Sequence, residues 1–256
     1  MAVEVGRRPD IRFILSFLLT VQNLTCLPVG RVPFDPVAFG RGTAFFPLVG
    51  LLVGGALTAV YFGATLLWPP PVVAALLVAG GIIMTGGVHL DGFIDTVDAF
   101  GGRDAAERLA IMRDSRVGAF GVTGAVVLLL LRFAAFQSLV AVGAWQMILL
   151  VPVVGRTGMV WAILFFPYAR PEGQGRLYKE HTRWPEAAVA TILALAITSG
   201  FGGFAGCCVA LAAFPVVFLV SLFLSRRLGG LTGDTYGAIG EVLEVFVLAV
   251  GLACYG

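Results

Sequence analysis

Long, nearly uninterrupted apolar runs alternate with shorter polar segments along this chain. A helix needs about 20 mostly apolar residues to cross the hydrocarbon core of a bilayer. Seven runs fit that requirement, and they cover residues 43–68, 72–90, 117–140, 145–166, 187–206, 209–224 and 238–255. The pattern therefore predicts an all-α fold, a polytopic transmembrane helical bundle of about seven spans, built as a single integral membrane domain over residues 1–256.

An eighth apolar run, residues 11–27, differs from the others because it contains Arg12, Gln22 and Asn23. These polar side chains predict a partly inserted or interfacial helix at the N-terminus rather than another clean span. A secretory signal peptide is the competing interpretation. It is disfavoured because no small-residue cleavage site follows the apolar run.

The composition agrees with a membrane protein, since 59% of the 256 residues are hydrophobic, 12% are charged and the mean hydropathy is +0.96. A soluble globule of this composition would expose large apolar patches, and a lipid bilayer removes that difficulty. The four cysteines lie in or beside apolar segments and lack the spacing of a metal knuckle. We expect them to be small core residues.

Basic residues are concentrated on one predicted face of the membrane. Threading seven spans in order places the polar segments 28–42, 91–116, 167–186 and 225–237 on the same side. Of the 17 lysines and arginines, all but Arg132 and Arg156 lie in these segments or in the N-terminal tail. By the positive-inside rule this face is cytoplasmic. We therefore expect a multi-pass protein of the cell's inner membrane whose active site faces the cytoplasm.

Three carboxylates follow the second long apolar run, in the sequence HLDGFIDTVDAFGG. Asp91, Asp95 and Asp98 are spaced at i, i+4 and i+7, so a helix would present them on one face. Like charges at this spacing repel one another unless a divalent cation such as Mg²⁺ binds between them. Such an ion usually leaves its remaining coordination positions to water and substrate phosphate. The alternative is a solvated polar face at the end of a span. Ionisable groups near the membrane end of a span usually have a functional role. We therefore predict that these three aspartates are both the metal ligands and the catalytic residues.

A second charged cluster, ERLAIMRDSRVGAFG, leads into the third span. Arg113 and Arg116 lie one turn apart, and their guanidinium groups suit bidentate binding of phosphate. Asp114 could form a salt bridge with one of them or join the metal site. Either arginine could instead be an interfacial anchor. Carboxylates beside arginines are typical of phosphoryl transfer, where positioning and charge stabilisation supply most of the catalysis.

Other polar residues near or inside the spans are further candidates. Arg156 lies in the fourth span, where a charge is costly unless it reaches a partner or a substrate phosphate. Asp234 lies in a glycine-rich segment that opens the last span, followed by Glu241, and a helix start of this kind could bind phosphate or ribose. A simple N-cap followed by first-turn acids is the alternative. His89 could act as an acid or base, although a lone histidine is more often a hydrogen-bonding group.

These motifs, together with FFPLVG at residues 45–50 and GGLTGDTYGA at residues 229–238, resemble the cobalamin synthase family, adenosylcobinamide-GDP ribazoletransferase. The resemblance extends over most of the chain. It implies a Mg²⁺-dependent membrane enzyme that transfers a substituted phosphate group late in cobalamin (vitamin B12) biosynthesis. With the arguments above, it gives these expected substrate-binding residues: His89, Arg113, Asp114, Ser115, Arg116, Arg156, Asp234 and Glu241.

The implied reaction joins adenosylcobinamide-GDP to α-ribazole or its 5′-phosphate, yields adenosylcobalamin or its 5′-phosphate, and releases GMP. The expected partners are these substrates and the lipid bilayer. No nucleic-acid partner is expected, and self-association is left open. Two alternatives remain, a CDP-alcohol phosphotransferase-like phospholipid enzyme and a membrane transporter or ion channel. The phospholipid enzyme is disfavoured because no Ala-Arg follows Asp91-Gly92 at the required spacing.

Overall fold

The computed structural model describes residues 9–255, and within that range its regular structure is almost entirely helical. Eleven α-helices are present in this part of the chain, in the order α1 (Pro9–Leu24), α2 (Pro36–Arg41), α3 (Phe46–Ala64), α4 (Pro70–Thr85), α5 (Val88–Asp98), α6 (Ala105–Ile111), α7 (Ala119–Ala141), α8 (Trp145–Phe165), α9 (Gln174–His181), α10 (Trp184–Leu228) and α11 (Gly233–Tyr255). The predicted all-α class is confirmed.

The long helices are apolar enough to cross a bilayer, which confirms the predicted polytopic membrane bundle. Five helical stretches in the described range qualify, namely α2 with α3, then α7, α8, α10 and α11. A sixth is obtained if α4 and α5, which are bent by 93° relative to each other, form one broken span. The predicted count of seven is therefore not established.

Part of the difference in count comes from α10, a 45-residue helix that covers two of the predicted spans. Gly203 interrupts it with a φ of 56° and a ψ of −140°, outside the helical region. A Cβ placed on Gly206 would lie 2.1 Å from the carbonyl oxygen of Thr198, whereas residues eight apart in a straight helix are separated by about 12 Å. The chain thus turns back on itself, and the two halves of α10 pack against each other.

The N-terminal helix α1 has one buried face and one exposed face. Leu15 and Leu19 belong to the hydrophobic core, whereas Phe13 and Ile14 are exposed. This amphipathic character agrees with the predicted interfacial helix, whose depth in the bilayer stays a prediction. The predicted helix extended to residue 27, but α1 ends at Leu24.

The centre of the bundle is α8, which is buried along almost its whole length against α3, α10 and α11. Small residues allow this close packing: a Cβ added to Gly54 of α3 would lie 2.1 Å from the Leu149 carbonyl oxygen of α8. By contrast, α7 and the two halves of α10 expose many large apolar side chains on their outer faces. Such surfaces are suited to contact with lipid.

Two connections bring distant segments together at one end of the bundle. The short helix α5 leaves α4 through Gly86 and Gly87, both with positive φ, and packs across α11 and α7. The segments before α9 and before α11 are joined by two backbone hydrogen bonds, from Ala169 N–H to the Leu231 carbonyl and from Leu231 N–H to the Pro167 carbonyl, each 2.8 Å long. The residues next to these junctions form the candidate site.

Candidate active site

The three predicted aspartates lie along α5, but their surroundings differ. Asp91 is exposed, Asp95 is half-buried and Asp98 is only 9% exposed. Within the described residues, the Asp91 carboxylate makes neither a hydrogen bond nor a salt bridge. The carboxylates share one helix face, as predicted, and the structure gives each a different environment.

Asp98 caps the first turn of α7. Its two carboxylate oxygens accept hydrogen bonds from the backbone N–H groups of Gly118 and Gly121, both at 2.7 Å. A Cβ on either glycine would come within 2.5 Å of an Asp98 carboxylate oxygen, so the close approach requires glycine at both positions. A carboxylate at a helix N-terminus is also stabilised by the helix dipole. Asp98 therefore joins α5 to α7.

Asp95 lies among other carboxylates. Burial, followed by the negative charges of Asp91 and Asp234, raises the pKa of Asp95 to about 6. Asp234 reaches this position because α5 and the start of α11 touch: a Cβ on Gly92 would lie 2.7 Å from the Asp234 carbonyl oxygen. The structure thus brings together an aspartate pair of α5 and an aspartate that is distant in sequence.

A cation would relieve the repulsion among these carboxylates. Among residues 9–255, no three His, Cys, Asp or Glu side chains converge closely enough to hold a metal ion by themselves. Mg²⁺, however, is commonly bound by one or two carboxylates together with water and substrate phosphates. Asp91 and Asp95 match that donor set, so the residues present fit a Mg²⁺ ion that binds with a phosphorylated substrate.

A cavity of about 280 Å³ opens beside these carboxylates. The exposed Asp91 marks the mouth of this cavity, and the partly buried Asp234 and Arg170 also line it. Arg170 Nη1 forms a 2.9 Å salt bridge with Asp234 Oδ2. The Nε and Nη2 atoms of Arg170 are buried and have no hydrogen-bond partner in the described part of the chain. An unpaired guanidinium edge of this kind has the geometry to donate to two oxygens of a phosphate.

Arg170 was missed at the level of sequence. It lies in the polar segment 167–186, which hydropathy placed on the same face as the aspartates, but no spacing distinguishes it from the other arginines there. Only the backbone pairing of this segment with Leu231 brings it to Asp234.

The buried part of the cavity lining, called here its inner end, is mostly apolar and aromatic, although Asn23 and Gln174 also belong to the lining. Phe46, Met159, Ile163 and Tyr236 line it together with the predicted substrate-binding residue His89. His89 is 5% exposed and Tyr236 is 2% exposed. Neither His89 Nε2 nor the Tyr236 hydroxyl has a hydrogen-bond partner among residues 9–255.

The predicted arginine cluster lies at the other end of α5, in the loop between α6 and α7. Arg113, Ser115 and Arg116 are exposed there, and Arg116 donates to Asp114 with a shortest contact of 2.6 Å. The hydrogen bond from the Arg116 side chain lowers the pKa of Asp114 to about 2. Because Asp91 and Asp98 are about 10 Å apart along the helix axis, this loop and the cavity occupy opposite ends of an elongated site.

Arg156 and Glu241 lie inside the bundle and do not line the cavity of about 280 Å³. Arg156 forms a salt bridge with Glu244, which also pairs with Arg132. Arg132 Nη1 in turn lies 2.8 Å from Glu241 Oε2. The structure therefore places Arg156 in a buried ion-pair network across α7, α8 and α11, and it gives Arg132 the structural partner that a charge within a span requires.

Together, the fold and site define a polytopic helical membrane protein with carboxylates and a free guanidinium fork at the mouth of a partly apolar cavity. A family model described as cobalamin-5-phosphate synthase matches residues 16–252. The chain belongs to this family, which confirms the resemblance seen in the sequence motifs.

Relatives of known name support this assignment. An adenosylcobinamide-GDP ribazoletransferase of Roseiflexus sp. (strain RS-1) is 41% identical over 90% of this chain and 86% of its own length. A protein of the same name from Thermosynechococcus vestitus is 36% identical over 91% of this chain and 94% of its own length. Another, from Pseudomonas putida (strain GB-1), is 40% identical over 93% of this chain and 100% of its own length. No solved structure matches the chain. These names favour the family resemblance over a phospholipid enzyme or a transporter.

Proposed function

We propose that this protein is an adenosylcobinamide-GDP ribazoletransferase. It joins adenosylcobinamide-GDP to α-ribazole or α-ribazole 5′-phosphate and releases GMP. The product is adenosylcobalamin or its 5′-phosphate. Membership of the cobalamin-5-phosphate synthase family carries this proposal, and the site supports it because it combines anionic and cationic groups suited to a diphosphate.

The reaction exchanges one phosphorus–oxygen bond for another. A ribose hydroxyl of the acceptor attacks the phosphorus attached to cobinamide, the bridging bond to GMP breaks, and the hydroxyl proton is lost. Asp91 and Asp234 are the carboxylates that line the cavity. They are the groups best placed to accept a proton from a hydroxyl held at its mouth.

Arg170 would bind the diphosphate of the donor. Its Nη1 is held by Asp234, which fixes the plane of the guanidinium, while Nε and Nη2 remain free to donate to two phosphate oxygens. Fixing the fork before substrate binds reduces the entropy lost on binding. Asp234 therefore positions Arg170 in this mechanism.

Asp91 and Asp95 would hold the Mg²⁺ ion. When bound, the ion would neutralise charge on the diphosphate and on the GMP leaving group. Asp98, which its spacing alone predicts to be a third ligand, accepts hydrogen bonds from α7 with both carboxylate oxygens. We propose that its main contribution is to fix the direction of α5 and hence of the other two carboxylates.

We further propose that the protein lies in the inner membrane with this site facing the cytoplasm. The loops that build the site belong to the polar segments that hold most of the basic residues. By the positive-inside rule that side remains in the cytoplasm, where nucleotide substrates are found.

The test is release of GMP by the purified full-length protein in lipid nanodiscs supplied with adenosylcobinamide-GDP and α-ribazole. We expect release that requires the acceptor, stops with excess chelator and returns with Mg²⁺. Asp91→Asn should reduce release at least about 100-fold, as expected for loss of a ligand to a catalytic metal. Glu180→Gln, which alters an exposed carboxylate paired with Arg176, should not reduce it. Undiminished release after thorough chelation would rule out the metal, and no acceptor-dependent release would rule out the function.

A further inference from the structure

The cavity beside the aspartates has two chemically different ends. Its mouth carries the charged residues Asp91, Arg170 and Asp234, whereas its inner end is lined by apolar side chains such as Met159 and Ile163. Charged phosphates suit the mouth and would be unfavourable in the inner end, because burying an unpaired charge is costly. The inner end therefore suits an uncharged ring.

Two polar atoms interrupt the apolar inner end. His89 Nε2 and the Tyr236 hydroxyl are buried, and the part of the chain that the structure describes offers them no hydrogen-bond partner. Native proteins rarely leave buried polar atoms unsatisfied, so such atoms at a cavity wall point to a ligand with a matching polar atom.

From this arrangement we infer that the cavity is the acceptor subsite: it takes the base and ribose of a benzimidazole-type ribonucleoside, with the base at the inner end and the ribose at the mouth. The inference rests on the proposed function, because that function supplies a ribonucleoside acceptor. A volume of about 280 Å³ suits a group of nucleoside size, while the much larger corrin ring stays outside.

The ribonucleoside could in principle be the guanosine of the donor, but the polar groups argue against it. Guanine presents several N–H donors on its base-pairing edge, which a specific site pairs with acceptors such as a carboxylate. Four side chains with carboxylate or amide oxygens line this cavity: Asp91 and Gln174 are exposed, Asp234 forms a salt bridge with Arg170, and Asn23 is hydrogen-bonded to Tyr178. α-Ribazole is built on a dimethylbenzimidazole, whose only free polar atom is one ring nitrogen, an acceptor.

This acceptor nitrogen matches the inner end of the cavity. The Tyr236 hydroxyl can donate a hydrogen bond to it, as can His89 when Nε2 carries the proton. The two methyl groups of the base would pack against Met159 and Ile163. The ribose then lies next to Asp91, where one of its hydroxyls can meet the phosphorus of the donor.

The experiment measures α-ribazole and GMP binding to the full-length protein in nanodiscs by equilibrium dialysis. Tyr236→Phe removes only the hydroxyl, and His89→Phe is a second variant that keeps a ring. Tyr61→Phe is the matched control, because Tyr61 is also a buried tyrosine of the bundle but does not line this cavity. Where the free nucleoside binds too weakly for dialysis, KM for α-ribazole at saturating donor is the readout.

We expect Tyr236→Phe to weaken α-ribazole binding about 2- to 12-fold, the equivalent of one hydrogen bond of about 0.5–1.5 kcal/mol. GMP binding should not change, and Tyr61→Phe should alter neither ligand. Unchanged α-ribazole binding in both cavity variants, or weakened GMP binding instead, would overturn the subsite. Tyr236-dependent α-ribazole binding without any GMP release would leave the subsite standing while refuting the proposed function.

Discussion

Replacing Asp98 by asparagine should destabilise the protein, whereas the same change at Asp91 should not. Asp98 holds the N-terminus of α7 through two backbone N–H groups at 2.7 Å. In the Asp98→Asn variant, the side-chain amide would retain one acceptor oxygen but turn an NH₂ group towards the second N–H, leaving that donor unsatisfied. Asp91 has no such contact within residues 9–255, so its substitution should affect the reaction alone.

The expected magnitude follows from these contacts. A hydrogen bond to a charged group contributes about 1.5–3 kcal/mol, and loss of the negative charge at the helix N-terminus adds about 0.3–1 kcal/mol. Asp98→Asn should therefore lower the free energy of unfolding by about 2–4 kcal/mol. Asp91→Asn should change it by no more than about 0.5 kcal/mol, as is usual for an exposed site.

The assay is unfolding of the purified variants by titration with a denaturing detergent, combined with GMP release at increasing Mg²⁺. If Asp91 binds the ion, raising the Mg²⁺ concentration should partly restore GMP release by the Asp91→Asn variant. Added Mg²⁺ should not restore GMP release by the Asp98→Asn variant, because the defect of that variant would be the displacement of α5. Equal stability of the two variants would show that the contact between Asp98 and α7 is not the main role of this carboxylate.

Three further outcomes are expected. Arg170→Lys should lower kcat/KM for the diphosphate donor about 10- to 100-fold, because Lys can still pair with Asp234 but loses the fork, which contributes about 1.5–3 kcal/mol. The control is Arg176→Lys, at an exposed position, and an equal effect of both substitutions would refute the role of the fork. Glu244→Gln should cost about 3–5 kcal/mol of stability, since two buried arginines would lose a shared partner, and normal accumulation and thermal unfolding of this variant would contradict that. Cysteines introduced at Ala105 and Gly173 should resist an impermeant thiol reagent in intact cells, and ready labelling of both would reverse the proposed orientation.

The membrane class and the aspartate helix could be predicted because their signals are local. Hydropathy is a property of consecutive residues, and the spacing of Asp91, Asp95 and Asp98 is enough to place them on one helix face. The direction of α5 could not be predicted, since the 93° bend depends on two glycines with positive φ and on packing against α7 and α11.

Contacts between residues that are distant in the sequence could not be predicted from local sequence patterns. Its position within a span marks Arg156 as a candidate, but only the packing of α8 against α11 shows that Glu244 is its partner. Nothing in the sequence distinguishes Arg170 from the other arginines of its polar segment, because its salt-bridge partner, Asp234, lies 64 positions further along the chain. Tyr236 was overlooked for the same reason, as only the cavity distinguishes it from any other buried tyrosine.

The buried ion pairs have a consequence for biogenesis. Arg132 and Arg156 are synthesised long before Glu241 and Glu244, which lie on the last helix. Until α11 enters the bundle, both arginines face either lipid or the insertion machinery without their partners, an arrangement that is unfavourable in hydrocarbon. Insertion of the final helix would neutralise this charge and also deliver Asp234 to the aspartates of α5. The proposed catalytic site would thus be assembled only when the whole chain is in the membrane, so an incompletely translated chain would be inactive.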